Sequence, residues 1–502
     1  MNLKNYFLMS LPILSASLIA GDIYVDSSFD GTSTGAKDAP YTTIQAAANA
    51  AQQGDTIWLY GSDTVSYVME DDSAAVVIDP NKVTIRGYTD EGEAANWSET
   101  NKMAKVFIKN GYAKNSKAVD GNVQRPITLN GASPKIQGVY FDFGATSFRQ
   151  QDQGGDNLIM VTNVNFVCEN SFFYMSSKLG YNGSNQPISA LNIKNAVKHN
   201  MIIRNCGFNY HSHYRSDAVP IGQCNGVLRV ENCYFEHVSR MSSGGSDEIR
   251  DTTLSVVSNV IYNCGSSANG YVDSFFTKGG NYFPNNAEIA YNRFIRDDFD
   301  PKSEWGKQQF GFLAHGGHYG GPFRGEVNIH HNTIVGADSA FVTNRRLSGD
   351  EGVDLWTPAI HNNLIILNEG GMLIEEKEGS PPGRFFNNKG FTTSYRLGST
   401  IRNNAIMCDT FLGGDATTNS WYKLEYEEGA NSGVELIDNI NLEEAPTFVN
   451  TTDPTHEDFY RLRLSDYAWV RKNAWTGENG EYPRYIGALE PLLSTGFLIV
   501  IK

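Results

Sequence analysis

The sequence has few of the features that build disulfide-rich, metal-built or disordered proteins. Its 502 residues contain 6 cysteines and 17 prolines, and no Cys-x-x-Cys pair or Cys/His cluster has zinc-binding spacing. A disulfide scaffold, a zinc module and a proline-rich disordered chain are therefore excluded. Lys and Arg number 40 against 56 Asp and Glu, a formal charge of −16. This balance argues against a partner role with nucleic acid or an anionic membrane surface through the overall field.

Long apolar runs are missing too, except at the beginning. Lys4 precedes an almost wholly apolar stretch from Phe7 to Ala20, which predicts a signal peptide over residues 1–21. An N-terminal anchor or a buried helix is the alternative. We expect an exported bacterial protein, secreted, periplasmic or at the cell surface, with no membrane span after cleavage. The mature chain would form one domain over residues 22–491, with a strand or tail over 492–502.

What the sequence does contain is a short pattern that keeps returning. An apolar residue is followed three positions on by Asn or Cys, and two positions further by a second apolar residue. Copies begin at Val167, Ile203, Val230, Ile289, Ile329, Ile360 and Ile401, with a looser copy around Asn259. Each copy predicts a strand, a tight turn and another strand, because Asn tolerates the left-handed backbone that such a turn needs.

The repeats predict stacked coils with loops of unequal length. Stacking lets neighbouring coils bury an apolar face that one coil cannot bury alone, and equivalent Asn side chains would hydrogen-bond along the stack. A β-sandwich with coincidental Asn turns is the alternative. The helix-forming segment Thr42–Gln53 places Ile44, Ala47, Ala48 and Ala51 on one face, so we expect it to cap the first coil.

Three segments carry a resemblance to known proteins. IYVDSSFDGTSTGAKDAPYTTIQAAANAAQQGDTIWLYGS (23–62) resembles the opening of secreted right-handed parallel β-helix proteins of the pectate-lyase-like superfamily. VTIRGY (83–88) is similar to their early strand, and YIGALEP (485–491) to their closing motif. The resemblance implies an all-β fold, a right-handed parallel β-helix (solenoid) with an N-terminal capping helix. That group includes lyases, hydrolases, epimerases and non-catalytic proteins, so the resemblance specifies architecture rather than reaction.

The longest insertions between the repeats carry most of the candidate functional residues. They span residues 236–256, 264–288, 295–326 and 338–358. Successive coils would bring these loops to one flank and form a groove, and loops on a rigid scaffold commonly carry function. The basic residues that we expect to bind an anionic polysaccharide there are Arg240, His318, Arg345 and Arg346.

Carboxylates are dense in the third insertion, which contains Asp297, Asp298 and Asp300. Hard oxygen ligands at this density can hold Ca²⁺. A solvated acidic turn is the alternative, because EF-hand spacing is missing.

Two further segments, DSFFTKGGN (273–281) and GFLAHGGH (311–318), are separated by one repeat. They resemble the chondroitinase B and alginate lyase group, whose coils carry a KS-x-x-N segment and, one coil later, an RHG segment. The resemblance implies a lysine base at Lys278, a calcium ligand at Asp273 and a catalytic histidine at His315. An alanine stands where the family has its arginine, so Arg324 or His318 would take over that role.

The chemistry explains why such residues are needed. β-Elimination removes a proton beside a uronate carboxylate, and the developing charge must be neutralised by a divalent ion or by cationic side chains. The candidate function is therefore a polysaccharide lyase acting on a uronate polymer such as alginate or pectin. An inverting glycoside hydrolase of the polygalacturonase type is one alternative, since Asp273, Asp297 and Asp298 loosely follow its order of carboxylates. A non-catalytic glycan-binding or surface protein is the other.

Two cysteines, Cys206 and Cys233, occupy the same repeat position in successive copies. Stacked strands lie about 4.8 Å apart, which is within disulfide range. Both a disulfide and a pair of free stacked thiols are compatible with the sequence.

Overall fold

The computed structural model describes residues 20–69, 75–108, 126–142, 157–162, 165–175, 189–193, 199–210, 221, 226–238, 241, 252–264, 273–275, 284–297, 310–315, 326–345, 353–356, 358–378, 394–397, 400–408, 410–414, 435–463 and 469–491. Residues 1–19 of the predicted signal peptide (1–21) and the predicted strand or tail over 492–502 lie outside these ranges. Both stay predictions. None of the helices within them has the length and apolar character needed to cross a bilayer.

In the described ranges, the first sheet contains 13 strands in sequence order along the stack, and neighbouring strands pair in parallel. Its strands are β1 Asp22–Val25, β2 Thr56–Tyr60, β5 Thr84–Tyr88, β8 Lys135–Gln137, β11 Asn165–Glu169, β14 His199–Arg204, β16 Gly226–Glu231, β18 Thr252–Val257, β21 Pro284–Ala290, β24 Val327–His330, β27 Ala359–His361, β30 Thr400–Arg402 and β33 Glu435–Ile437.

The second sheet follows the first after a tight turn in most coils and is also parallel. Its strands are β3 Ser66–Met69, β6 Ala104–Ile108, β9 Val139–Asp142, β12 Phe172–Met175, β15 Gly207–Tyr210, β17 Tyr234–Glu236, β19 Val260–Tyr262, β22 Arg293–Ile295, β25 Thr333–Arg345, β28 Leu364–Glu378, β31 Ala405–Met407 and β34 Ile440–Asn441.

A third sheet closes each coil before the chain returns to the first sheet. Its early strands are β4 Val76–Ile78, β7 Ile127–Leu129, β10 Asn157–Val161 and β13 Ser189–Ile193. In later coils the corresponding position holds β20 Asp273–Ser274, β23 Phe310–His315, the ends of β25 and β28, and β32 Thr410–Gly414, which are hydrogen-bonded to the second sheet through β25 and β28. We use the name third sheet for these strands as well. A separate pair joins β26 Val353–Trp356 to β29 Ser394–Leu397. The helices are α1 Ile44–Ala50, a 3-10 turn Thr100–Lys102 and α2 Trp469–Lys472.

Alternation along each strand separates the core from the surface. In β2, Ile57 and Leu59 are buried while Thr56, Trp58 and Tyr60 face outward, as the period of two in a strand requires. The same alternation recurs in successive stacked coils, so the inward side chains form one continuous core. The fold is therefore the parallel β-helix that the repeats predict.

Phenylalanine rings stack inside the core. The rings of Phe141, Phe173, Phe208 and Phe235 follow one another at centroid distances of 5.1, 4.9 and 5.1 Å, with nearly parallel planes. Offset stacks of this kind add about 0.5–1.5 kcal/mol for each pair beyond area burial. The coils are thus fastened to one another by contacts inside the stack as well as by the sheets.

A ladder of buried asparagines runs along the turn between the first and second sheets. The Nδ2 of Asn259 donates to Oδ1 of Asn292 (2.9 Å). In the same way, Asn292 donates to Asn332 (3.0 Å), Asn332 to Asn363 (2.9 Å) and Asn363 to Asn404 (2.9 Å). Each Oδ1 also accepts the backbone N–H of the preceding ladder residue. The predicted asparagine stack is therefore confirmed over these coils.

The left-handed residue of the turn lies one position before the ladder, which differs from the expectation. Positive φ angles occur at Asn205 (52°), Ser258 (60°), His331 (51°) and Asn362 (55°), whereas the residue that follows, Cys206 or a ladder asparagine, is buried in the core. The first of these two adjacent residues adopts the left-handed backbone, and the second forms the buried side-chain hydrogen bonds. Asn can occupy either position.

This division corrects the repeat that begins at Val167. Cys168, not Val167, pairs with Ile203, and Phe173 pairs with Phe208. Asn170 has φ 49° and is the left-handed residue of its coil. Aligning the repeats on their asparagines alone therefore places every residue of this coil one position away from its true partner.

The segment after the first strand forms the predicted helix. Thr43 is the N-cap of α1, and its hydroxyl accepts the N–H of Ala46 at 3.2 Å. Ile44, Ala47 and Ala48 are buried against the first coils, which confirms the predicted apolar face.

The core cysteines are free thiols rather than a disulfide. The Sγ of Cys206 lies 3.7 Å from Sγ of Cys168 and also interacts with the thiol of Cys233, so three thiols rather than two meet in the core. Burial raises the pKa of Cys168 and Cys233. The thiols therefore fill the core as small apolar groups.

Replacing Asn332 with Leu should lower the free energy of unfolding by about 1–3 kcal/mol, because Asn292 and Asn363 would each lose a buried partner. Asn328→Leu, on the half-buried outer side of the same coil, is the matched control and should change stability by less than about 0.5 kcal/mol. Chemical denaturation of both variants measures the difference. Equal stabilities would show that the ladder contributes nothing.

Candidate active site

The third sheet continues across the coils that carry the long insertions. Backbone hydrogen bonds run from Ile221 N to Met241 O (3.3 Å) and from Met241 N to Phe275 O (3.1 Å). Phe275 directly follows β20, which pairs with β23, and β23 pairs with the end of β25. Ile221, Met241, Phe275 and Phe312 are all buried. The sheet is therefore a third wall of the same core, and β20 and β23 lie inside the insertions singled out by the sequence.

The register of this sheet brings several polar residues into line. His315 pairs with Thr343, and Thr343 pairs with Glu376. Two positions further along, Arg345 pairs with Glu378. Parallel strands are about 4.8 Å apart, so the backbone of His315 lies about 10 Å from that of Glu376. We call His315, Thr343 and Glu376 the third-sheet row.

The structure thus places three of the predicted site residues on one sheet. Asp273 begins β20 and pairs with Phe310, the first residue of β23. His315 ends β23, and Arg345 ends β25. His315 is five positions beyond Phe310, so its backbone is about 16 Å further along the strand direction than that of Asp273. Asp273 and His315 therefore share a sheet but belong to different stretches of any groove along it.

Most of the other predicted site residues cannot be placed in this way. The predicted residues that lie outside the described ranges are Arg240, Lys278, Asp298, Asp300, His318, Arg324 and Arg346. Their roles in catalysis, substrate binding or calcium binding stay predictions.

Asp297, the one described member of the predicted calcium cluster apart from Asp273, has protein partners. Its carboxylate accepts from the Tyr262 hydroxyl (3.0 Å) and from Asn263 Nδ2 (2.9 Å). Burial, together with this carboxylate, raises the pKa of Tyr262. Within the described ranges, no three His, Cys, Asp or Glu side chains are grouped so as to hold a metal ion. Whether Asp297 belongs to a calcium site together with Asp298 and Asp300 stays a prediction, because the last two lie outside the described ranges.

Three residues of this region were missed by the sequence reasoning: Thr343, Glu376 and Glu378. The number of residues between the ladder asparagine and these positions differs from coil to coil, because the pairing of β25 with β28 shifts register near Ala337. The available signal was the acidic run Glu375-Glu376 after a long apolar strand, which an alignment on the turn does not bring into register.

A second cluster lies on the outer side of the first sheet, and the sequence reasoning missed it as well. His330, His361 and Arg402 pair in register across β24, β27 and β30. The rings of His330 and His361 stack at 5.0 Å with 6° between their planes, and His331 follows in the turn. We call His330, His331 and His361 the histidine cluster. The signal in the sequence was a histidine just before the turn in two successive repeats.

The histidine cluster is covered by the segment of residues 469–491, which we call the strap. Trp475 N donates to Asn362 Oδ1 (2.8 Å), and Asn362 Nδ2 donates back to Trp475 O (2.7 Å). The ring of Tyr482 lies 4.4 Å from that of His361. His330, His331 and His361 are 2%, 0% and 1% exposed, so the strap seals them from solvent.

Hydrogen bonds connect the cluster to its surroundings. Glu288 Oε1 lies 3.4 Å from His330 Nε2, His330 Nδ1 lies 2.9 Å from His331 Nδ1, and His331 Nε2 lies 3.1 Å from Pro483 O. Burial lowers the pKa of His331 to about 3 and that of His361 to about 2, and His330 adds to both shifts. Both rings are therefore neutral at physiological pH.

The two regions differ in what they can do chemically. The histidine cluster is closed to a polymer while the strap is docked, so it fastens the strap to the coils rather than binding substrate. The third-sheet row, with Arg345 and Glu378 two positions further on, brings polar and charged residue types into one backbone register beside the long insertions. We therefore take the row as the candidate active site.

Comparisons with known proteins add little to this picture. No family model matches the sequence, and no curated protein matches it. Among solved structures, "The complex structure of XylC with xylose" aligns with 86% of this chain and 88% of that chain, at 10% identity and a TM-score of 0.41. A likeness this distant does not identify a substrate or a catalytic residue for this chain.

Residues near the end of the strap also contact the coils, and the effect of substituting one of them can be predicted. Gly487 has φ 96°, donates its N–H to Asn362 O, and would place an added Cβ 3.1 Å from Thr333 Oγ1. Gly480 has φ 76° with nothing within 4 Å of such a Cβ. Both Gly→Ala changes carry a left-handed penalty of about 1–2 kcal/mol.

Only Gly487→Ala also crowds the docked strap, so it should destabilise by about 1 kcal/mol more than Gly480→Ala. Thermal and chemical unfolding of the two variants provide the comparison. A larger loss for Gly480→Ala would mean that the strap is not packed as described.

Proposed function

We propose that this protein cleaves an acidic, uronate-containing polysaccharide by β-elimination, with the third-sheet row at its active site. The observation that carries the proposal is the register of β20 and β23, which pairs Asp273 with Phe310. Lys278 is five positions after Asp273, and His315 is five positions after Phe310. Continuation of this register would put the lysine and the histidine opposite one another, in line with Thr343 and Glu376.

The proposed roles follow from that alignment. Lys278 takes the proton next to the carboxylate of the sugar ring, and the electron pair forms the new double bond as the bond to the leaving glycosidic oxygen breaks. His315 or Arg324 gives a proton to that oxygen. Arg345 lies two positions beyond the row and neutralises the uronate carboxylate, together with Arg240, His318 and Arg346 from the neighbouring insertions.

No step of this proposal depends on calcium. Asp273 lies about 16 Å along the strand direction from the row, and Asp297 already accepts from Tyr262 and Asn263. When bound through Asp273, Asp298 or Asp300, Ca²⁺ would add positive charge to another stretch of the groove, where further uronates of the same polymer lie.

An inverting glycoside hydrolase is the second candidate, and one observation favours it. Glu376 and Glu378 are two positions apart on β28, which corresponds to about 7 Å along a strand. Carboxylates of inverting glycosidases are separated by about 6.5–9.5 Å so that a water fits beside the sugar. A carboxylate pair therefore borders the same row that the lyase proposal uses.

Lys278→Ala should lower kcat by about 10²–10⁴-fold on the polymer that the wild type degrades, because the general base is removed. Lys278→Arg should also be poor, since a guanidinium rarely releases its proton. Lys472→Ala, an exposed lysine on α2, is the control and should keep wild-type activity. The assay follows the ultraviolet absorbance of the unsaturated uronate, which elimination creates and hydrolysis does not.

Two results separate the candidates. New reducing ends without ultraviolet absorbance, together with loss of activity in Glu376→Gln, would replace the lyase by the hydrolase. Activity of Lys278→Ala within about threefold of wild type would remove Lys278 from the mechanism.

The register itself can be tested without any substrate. Lys278→Cys combined with His315→Cys should form a disulfide on mild oxidation, because directly opposed residues of parallel strands lie within disulfide range. Asp273→Cys combined with His315→Cys is the matched control and should stay reduced, since five strand positions separate the two. Peptide mass spectrometry identifies the cross-link. Cross-linking of the control pair alone would contradict the register.

A further inference from the structure

The hydrogen-bond chain through the histidine cluster fixes where its protons sit. Pro483 O can only accept, so His331 donates to it from Nε2. In a neutral ring Nδ1 of His331 is then an acceptor, and His330 must donate to it from Nδ1. His330 Nε2 faces the carboxylate of Glu288, which accepts as well. The chain is therefore closed when His330 donates from Nδ1 to His331 and His331 donates from Nε2 to Pro483 O.

A further proton has no place in this arrangement. On His331 it would sit at Nδ1 and face the donor of His330, which breaks the 2.9 Å contact. Asn362 Nδ2, which lies 3.3 Å from His331 Nε2, is itself a donor and is bonded to Trp475 O. Protonation of His331 thus disrupts the bond between the coil and the strap at its centre.

His361 is even less able to hold a charge. Both of its ring nitrogens are buried without a hydrogen-bond partner. Its ring is enclosed by His330, Trp475 and Tyr482 at 5.0, 4.7 and 4.4 Å, and the Arg402 charge also disfavours protonation. An imidazolium at this position would have no acceptor while the strap is docked.

The other groups around the cluster do not compensate for such a charge. They come from the first sheet, the turn and the strap: Glu288, Arg402, Tyr291, Glu481, Tyr482, Tyr485, Arg461 and Glu490. In the described part of the chain, Glu288 is the carboxylate paired with a ring of the cluster, and its partner is His330. Neither His331 nor His361 has a comparable anion.

We propose that the histidine cluster and the strap form an acid-operated latch, in which protonation of His331 and His361 releases the strap from the coils. Release frees both rings to bind protons in water. It also uncovers the apolar residues Leu364, Ile366 and Ala405, which form one buried cluster with Val470 and Ile486 of the docked strap.

The pH range follows from the direction of the shifts. In the docked state the pKa of His331 is lowered to about 3 and that of His361 to about 2, whereas a solvated histidine has a pKa of about 6.5. Docking is therefore at full strength above about pH 6.5. Below it, the released strap binds protons that the docked strap excludes, and each histidine weakens docking by up to about tenfold for each pH unit.

Hydrogen exchange measured by mass spectrometry on the full chain tests the latch. Between about pH 7 and pH 5, with exchange times corrected for the intrinsic rate, amides of residues 475–488 should lose at least tenfold of their protection. Amides of the asparagine-ladder coils, such as those of β22, should keep theirs. Loss of protection in strap and coils at the same pH would overturn the proposal, because acid would then unfold the domain as a whole.

Two variants identify the groups responsible. His331→Asn suits the left-handed backbone of that position, and His361→Phe removes the two unpartnered nitrogens while keeping a ring. His361→Phe should move strap release to lower pH. His331→Asn also loses the bond to Pro483 O, so it should lower strap protection at pH 7 while making that protection less dependent on pH. The double variant should show no pH-dependent release above pH 5. His237→Asn is the matched control, because His237 also has a positive φ, 54°, but lies outside the cluster. Unchanged release in both cluster variants would contradict the proposal even if the wild-type strap opens.

Discussion

The asparagine ladder is the interaction on which the rest of the structure depends. Each ladder side chain bonds to the next coil and to a backbone carbonyl of the preceding coil, and Asn332 adds a bond within its own coil: its partners are Asn363, Ile289 O and His330 O. A slip of one residue between coils would turn every inward side chain outward and leave these buried amides unpaired. The ladder therefore holds strands from distant parts of the sequence in one register.

That register is what turns scattered residues into sites. His315, Thr343 and Glu376 are far apart in the sequence, yet they stand in one line across the third sheet. His330, His361 and Arg402 form a second line on the first sheet. One line lies beside long insertions and is the one that we propose for catalysis, whereas the other is sealed by the strap and is the one that we propose as a latch. Stacking in register thus brings distant residues together on both the third sheet and the first sheet.

The strap also explains an unusual feature of the turns. Most left-handed turn residues are Asn, but Tyr291 and His331 adopt φ 59° and 51°. Bulky residues in this conformation cost free energy. The His331 ring bonds to Pro483 O and packs edge-on against Tyr485. At His331 the contact with the strap offsets the backbone cost, and Asn at this position would not provide it.

The sequence predicted the parts of the fold that depend on local pattern. The repeats from Ile289 onwards marked the turn and the ladder correctly, and the α1 face was predicted from helical periodicity. The Val167 copy was shifted because Asn170 is left-handed while the inward position holds Ser171, a distinction that composition does not reveal. Glu376 escaped notice because bends in β25 and β28 change the spacing from coil to coil. The histidine cluster escaped because its partners, such as Pro483, are 152 residues away.

A crystal structure of the His315→Gln variant with a uronate oligosaccharide tests the central claim most directly, namely that stacking register assembles the active site on the third sheet. The account predicts a sugar chain running across β23, β25 and β28, with one ring between Lys278 and His315 and its carboxylate near Arg345. A sugar bound instead on the outer side of the first sheet, with Lys278 and His315 on different stretches of the third, would contradict it.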